Sequence, residues 1–208
     1  MSAGAPRPTS VPPAGERPSD TQPMPPVILA LLVGIGVGYA ITAALEQDQA
    51  ISVPLLVKAG GLLPLAWIDG DFWRFVSYSF LHGNLMHLLA NVTCLLAWGI
   101  PLARFFGGWR FLVLYFGAVV IGGLTSVLTR EGIFVLIGAS GGTSGLLGAL
   151  FMFRLLRRSE LPASFFVINI GLNVAITLFF PEIDWRSHAG GFLAGALIGA
   201  ALIPRAAR

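Results

Sequence analysis

From residue 27 onward the chain is a succession of six apolar runs, at about 27–45, 83–104, 109–128, 140–156, 163–180 and 187–204. A helix needs roughly 20 residues to cross about 30 Å of hydrocarbon, so these runs have spanning or near-spanning length. The last two are short and suit a thinned or tilted setting. Hydrophobic residues make up 55% of the 208 and charged residues only 11%, against about a quarter charged in soluble domains. Such a chain cannot cover a globular surface with polar groups, so much of its surface must face lipid. The expected fold is all-α, a polytopic membrane bundle of six transmembrane helices.

The charges orient this map. The net charge is +3, but the 13 Lys and Arg residues are scattered. No basic stripe with interleaved aromatics is present, which argues against a nucleic-acid partner and for membrane orientation. With the N-terminus inside, the inner segments carry Arg7, Arg17, Arg104, Arg110, Arg154, Arg157, Arg158, Arg205 and Arg208, and the outer ones Lys58, Arg74, Arg130 and Arg186. Nine against four is the asymmetry of the positive-inside rule, with both termini cytoplasmic and Arg154 to Arg158 facing anionic lipid. Residues 1–26, rich in Pro, Ser, Gly and Ala, read as a disordered tail, and 205–208 as a short cytoplasmic one. The first run lacks a strong basic flank and an A-x-A cleavage pattern, so it reads as a retained span rather than a signal peptide. Residues 46–81 form an outer loop lying partly in the interface. Within it the apolar stretch 51–68 contains Pro54, Lys58, Gly60, Gly61 and Pro64, which break a helix or leave backbone groups unsatisfied in lipid. Trp67, Trp73, Trp109 and Trp185 fall near the expected membrane boundaries, where amphipathic rings prefer to sit. The single cysteine, Cys94, has no disulfide or zinc partner and reads as a packing residue. Neither a metal nor an organic cofactor has a visible site.

Polar and ionisable groups inside spans are costly, so each is a functional candidate. The second run carries His82, His87 and Asn91 in its outer half. His87 and Asn91 are four apart and share a helical face, about 6 Å along the axis. Interhelical hydrogen bonding would account for them equally well. The fourth run opens with Gly138-Ala139-Ser140-Gly141-Gly142-Thr143-Ser144-Gly145. This is either a small-residue packing face or a serine at a helix start, where free N–H groups and the positive dipole end can stabilise an oxyanion. The sixth opens with Ser187-His188 and continues with Gly190, Gly191 and Gly195. All these polar groups fall in the outer half of the membrane. Gly191, Gly195 and Gly199 lie within about 60° of His188, and Gly141, Ser144 and Gly148 within about 100° of Ser140. Glycine-lined helices can approach closely, bringing Ser140 toward a base, which a weakly nucleophilic hydroxyl needs. Asn169 and Asn173, four apart in the fifth run, suggest interhelical bonding. Asp184, four before His188, would share its face only if that helix started early; Pro181 and Trp185 suggest a loop there.

Together these motifs resemble the rhomboid proteases across about residues 27–204. The resemblance rests on Phe72-Trp73-Arg74 in the first loop, His82-x4-His87-x3-Asn91 in the second run, Gly138-Ala139-Ser140-Gly141 with Gly145 and Gly148 in the fourth, and His188 with Gly191 and Gly195 in the sixth. It implies an intramembrane serine endopeptidase that cleaves transmembrane protein substrates by a Ser–His dyad. Ser140 would be the nucleophile and His188 the general base, then acid. An oxyanion hole would come from His87, Asn91 and the Ser140 N–H. It also implies hydrogen-bonding support from His82, and a first loop shaped by Trp73 and Arg74. A compact six-span core looks like a bacterial plasma-membrane member. One position departs from the family pattern: where an aromatic often packs on the catalytic histidine, this chain has Ser144. That creates a rival nucleophile, but Gly145 and Gly148 follow Ser140 at the family spacing. Two other readings compete. A non-catalytic rhomboid-like binder usually lacks the serine or the histidine, and both are present. A transporter often shows internal repeats, and no convincing repeat is visible.

Overall fold

The computed structural model describes residues 23–48, 50–180 and 183–203. Most of the expected 1–26 tail, the 205–208 tail, and Arg7, Arg17, Arg205 and Arg208 lie outside them. The described chain is helical; its one β feature is a two-residue antiparallel bridge between Leu62 and Leu136. Helix α1 (Pro26–Glu46) begins on a proline at its first turn, where the missing N–H costs nothing. Two short helices follow, α2 (Val53–Lys58) and α3 (Arg74–Ser77). Then α4 (Leu85–Cys94) runs through a wide turn at Leu95–Gly99 into α5 (Ile100–Phe106). Pro101 lies just past that turn. A proline inside a helix loses a hydrogen bond and crowds the carbonyl four residues back, and a π turn is one way to accommodate it. Helices α6 (Gly108–Thr129), α7 (Ser140–Leu155), α8 (Ala163–Phe179) and α9 (Trp185–Ala201) complete the set.

Three of these rods are long and apolar enough to cross a membrane: α1, the continuous Leu85–Phe106 stretch, and α6. Helix α8 is apolar but only 17 residues long. The exposed residues of α1 and α8 are largely Leu, Ile, Val and Phe, the surface expected of helices bathed in lipid.

The centre is formed by α6, α7 and α9, and glycine sets their spacing. A Cβ added at Gly191 would collide with the carbonyl of Gly141, one at Gly195 with that of Gly145, and one at Gly148 with that of Phe192. Gly199 meets Ala149 in the same order. Helices α7 and α9 therefore run parallel, backbone against backbone. Gly122 of α6 closes the group, wedged against Ser187 and the Gly141 Cα. At the far end of α7, Phe153 packs edge-on with Phe105 and against Phe106, ring centroids 5.0 and 5.5 Å apart, all three rings buried. Helix α8 stands apart. Its one buried residue is Phe166 near its start, which packs on Phe151 of α7 at 5.4 Å.

The stretch 51–68 is not a continuous helix. α2 ends at the left-handed Gly60 (φ +107), and a short 3-10 turn, Leu65–Trp67, follows Pro64. The carbonyls left over are claimed by α3. Arg74, 9% exposed, donates through Nη1 to the carbonyls of Val57 (2.8 Å) and Gly61 (2.9 Å) and through Nε to Asp71 (3.1 Å). Ser77 donates to the Gly60 carbonyl at 2.7 Å, and the Trp73 ring covers Gly60. The Asp71 carboxyl is held below its ordinary 3.8 by the Arg74 hydrogen bond first and the Trp73 indole second. That stabilisation is therefore complete above pH 3.8 and is lost only as the pH falls further.

Three substitutions test this architecture by thermal unfolding in detergent. Gly195→Ala forces α7 and α9 apart and should cost about 1–3 kcal/mol. Gly36→Ala, where an added Cβ meets nothing within 4 Å, should change stability by less than about 0.5 kcal/mol. Arg74→Ala strands two backbone carbonyls and should cost about 1–3 kcal/mol at neutral pH.

Candidate active site

Ser140 is the first residue of α7, and the turn before it is tied down twice. Leu62 and Leu136 exchange N–H···O bonds of 3.0 and 2.8 Å, and the Gly138 N–H donates to the Tyr78 carbonyl at 2.9 Å. Gly138 has φ +109, and a Cβ there would sit 2.6 Å from His87 Nε2, so the position requires glycine on both counts. The same point is 3.8 Å from Ser140 Oγ. The imidazole of His87 and the hydroxyl of Ser140 thus border one small space. No side chain caps α7, so the first-turn N–H groups, which have no partners within the helix, remain as donors beside it. Tyr78 braces the arrangement from beneath, its hydroxyl donating to the Val119 carbonyl at 2.7 Å. Burial raises the Tyr78 phenol far above its ordinary range, so it remains a neutral donor.

His87 and Asn91 project from one face of α4. The helix starts at Asn84, whose side chain accepts from the His87 N–H at 2.9 Å, an N-cap that fixes the first turn. Asn91 is 5% exposed, and its Nδ2 donates to the His87 carbonyl at 3.0 Å. One amide N–H is used within the helix, leaving the other for a ligand. His82 is fully buried, its ring edge-on to His87 with centroids 4.9 Å apart. The Phe80 backbone is a polar neighbour of the His82 ring, while neither His82 nitrogen is within strict hydrogen-bond geometry of a described residue. Ring packing also backs His87. Trp73 and Arg74 lie in the loop clamp described above, with Trp73 about half exposed.

His188 sits in the first turn of α9. Gly141 packs on Gly191 and Gly145 on both Gly191 and Gly195. Ser140 and His188 therefore lie at similar heights on adjacent parallel helices, within about one turn or 5 Å along the axis. Among the described residues the Nδ1 of His188 is buried without a hydrogen-bond partner, so Asp184 makes no bond to the ring of the kind a triad's third member would. Ser144 is 5% exposed. It lines a cavity of about 590 Å³ between α7, α8 and α9, together with His188, Asn173, Thr177, Leu147 and Phe192. The space that an aromatic at 144 would fill is thus open beside the histidine.

Two expectations need correcting. Asn169 and Asn173 do not bond between helices. They donate to the carbonyls of Phe165 (2.7 Å) and Asn169 (3.5 Å) on their own helix, because no helix packs closely along that part of α8. The last helix also begins earlier than the sequence suggested, at Trp185, with Asp184 as its N-cap accepting from the Arg186 N–H at 3.1 Å. The signal was present: an aspartate just ahead of a periodic run is a favoured helix start.

Comparison with known proteins gives this geometry a context. A family model described as the Rhomboid domain matches residues 69–205. RHOMBOID-like protein 5 of Arabidopsis thaliana is 36% identical over 167 residues, 74% of this chain and 52% of the relative. Rhomboid-like protease 1 of Toxoplasma gondii is 30% identical over 183 residues, 83% of this chain and 62% of the relative. Rhomboid protease GluP of Bacillus subtilis is 31% identical over 146 residues, 66% of this chain but only 28% of the relative. The chain thus spans a half to two thirds of the first two relatives and less of the third. The matched region carries both the glycine-packed helices and the histidine–serine space, and the chain belongs to the rhomboid family of integral membrane proteins.

Proposed function

We propose that this protein is an intramembrane serine endopeptidase that cuts transmembrane segments of other membrane proteins. The observation that carries the reading is the level placement of Ser140 and His188 on parallel, glycine-packed helices, with His87 facing the same space. Ser140 Oγ attacks the scissile carbonyl while His188 takes its proton. The negative charge that develops on the carbonyl oxygen is met by the Ser140 N–H, the His87 ring and the free amide N–H of Asn91. His188 then delivers the proton to the leaving amine, and a water, deprotonated by the same imidazole, hydrolyses the acyl-enzyme. Two of the relatives carry protease in their names, which agrees with this reading.

The topology belongs to the same proposal. All six rods cross the bilayer, both termini face the cytoplasm, and the α7 N-terminal end lies toward the outer side of a bacterial plasma membrane. Arg104, Arg110, Arg154, Arg157 and Arg158 then fall on the cytoplasmic side, as the distribution of basic residues requires. The cavity beside α8 opens among lipid-facing residues, which gives a substrate helix a lateral approach to His188. Because a helix hides its peptide bonds, the target must unwind locally, and small or helix-breaking residues lower that cost.

Reaction with a fluorophosphonate probe tests the chemistry on the full chain in liposomes. Ser140→Ala should abolish labelling, and His188→Ala should slow it at least about a thousandfold. His87→Ala and Asn91→Ala should each lower cleavage by about 10²–10³. Labelling that survives Ser140→Ala and disappears with Ser144→Ala would transfer the nucleophile to the cavity serine; a wild-type chain that never labels would favour a non-catalytic binder. For substrates, replacing small or helix-breaking residues near the outer boundary of a reporter segment by leucine should reduce cleavage, and unchanged cleavage refutes the preference.

A further inference from the structure

Asp184 carries a buried charge that the proposed chemistry does not use. Its side chain is 1% exposed, and a carboxylate that deep is retained only when its lone pairs are satisfied. Every partner among the described residues belongs to the junction of α6 and α9. Ser126, itself fully buried on α6, donates its hydroxyl to Asp184 Oδ2. Arg130, which follows the end of α6, lies 3.6 Å from the same oxygen and stacks over the Phe134 ring at 4.7 Å. On the other side, Oδ1 accepts from the Arg186 N–H at 3.1 Å, and the Arg186 guanidinium stands 3.9 Å away. The Asp184 carbonyl accepts from the His188 N–H at 3.5 Å, the first backbone bond of the turn that carries the histidine.

The His188 ring has little else to hold it. Its Nδ1 has no hydrogen-bond partner, and the cavity lined by Ser144 lies against it. Where the ring is not oriented by a bond of its own, its position follows from the position of its backbone. Among the described residues that backbone is fixed by the side-chain bonds of Asp184 together with packing: Ser187 against Gly122 and Gly141 beside the Tyr78 hydroxyl, Gly190 against Thr125, and Gly191 on Gly141.

We propose that Asp184 is a positioning residue for His188, fastening the first turn of α9 to Ser126 and Arg130 of α6 so that the imidazole stays level with Ser140. This rests on the protease reading above. It assigns the carboxylate no proton transfer and no contact with substrate. A misplacement of about 1 Å in a catalytic group can cost about a hundredfold in rate, so the anchor should act on turnover rather than on substrate binding.

The test compares Asp184→Ala, Asp184→Asn and Ser126→Ala in the full chain reconstituted in liposomes, with kcat and KM measured on one transmembrane reporter and the melting temperature of each variant recorded. Asp184→Ala should lower kcat by about ten- to a hundredfold with KM unchanged, at temperatures where the variant is folded. Asp184→Asn keeps one acceptor oxygen for the Arg186 N–H, and its amide nitrogen can donate to the Ser126 hydroxyl oxygen in place of the bond it loses, so it should recover part of the lost turnover. Ser126→Ala, the milder change if Asp184→Ala does not fold, should lower kcat in the same direction. The proposal is overturned if kcat is unchanged in folded Asp184→Ala or in Ser126→Ala, if the whole loss appears in KM, or if Asp184→Asn is as impaired as Asp184→Ala. A wild-type chain that neither labels with the serine probe nor cleaves would sink the protease reading itself, and the anchor's purpose with it.

Discussion

The close contact of α7 and α9 depends on the absence of side chains. In lipid the surroundings are as apolar as leucine, so two helices gain little by merely hiding hydrophobic surface from each other. They associate through dispersion and short backbone approaches that only small residues permit. Here the carbonyls of Gly141 and Gly145 occupy the positions where Cβ atoms of Gly191 and Gly195 would be. Such a contact is stiff along the helix axis as well as across it, because carbonyls and glycine gaps alternate and a slide of one residue would bring a side chain against a carbonyl. It therefore sets the relative height of whatever the two helices carry at their first turns. Ser140 and His188 are held level by residues that have no chemistry of their own.

The same end of the bundle depends on a second device, the capture of loose backbone by side chains. A stretch such as 51–68 has too many Pro and Gly residues to remain helical, yet its carbonyls cannot be left bare near hydrocarbon. Arg74 and Ser77 bind three of them, and Leu62 uses its own N–H and carbonyl in the bridge to Leu136. Four residues beyond that bridge stands Ser140. The first loop is thus connected to the candidate nucleophile through one pair of backbone hydrogen bonds and the Gly138–Tyr78 bond.

Much of this was readable from residue order because it is one-dimensional. Apolar run lengths located the long helices to within a few residues, since the cost of exposing polar backbone to lipid leaves few alternatives. The glycine spacing on α7 and α9 named the faces that meet, although Gly145 takes the contact the sequence had assigned to Ser144. What escaped depends on neighbours in space. The wide turn at Leu95–Gly99 answers a crowding that Pro101 creates only inside a helix. Asn169 and Asn173 bond to their own helix because α8 lacks a close partner, which no local pattern reveals. Asp184 was legible as a cap but not as an ion-pair centre, because Ser126 and Arg130 lie more than fifty residues away in the chain.

The placement of Asp184 also bears on the proposed pairing of Ser140 with His188. A carboxylate bonded to the imidazole as a third group would, in a site walled by lipid-facing helices, lack the water and dipoles that stabilise such a charge elsewhere. The buried carboxylate present here lies one turn away instead, at the junction where two arginines and a serine hydroxyl can neutralise and bond it. Among the described residues the histidine keeps an unbonded Nδ1 and has an open cavity at its side, and in the proposed reading its precision comes from a fixed backbone. Orientation by a helix anchor is less specific than a bond to the ring. It avoids placing an uncompensated charge beside the reacting groups, and in a low-dielectric site that is the larger energy.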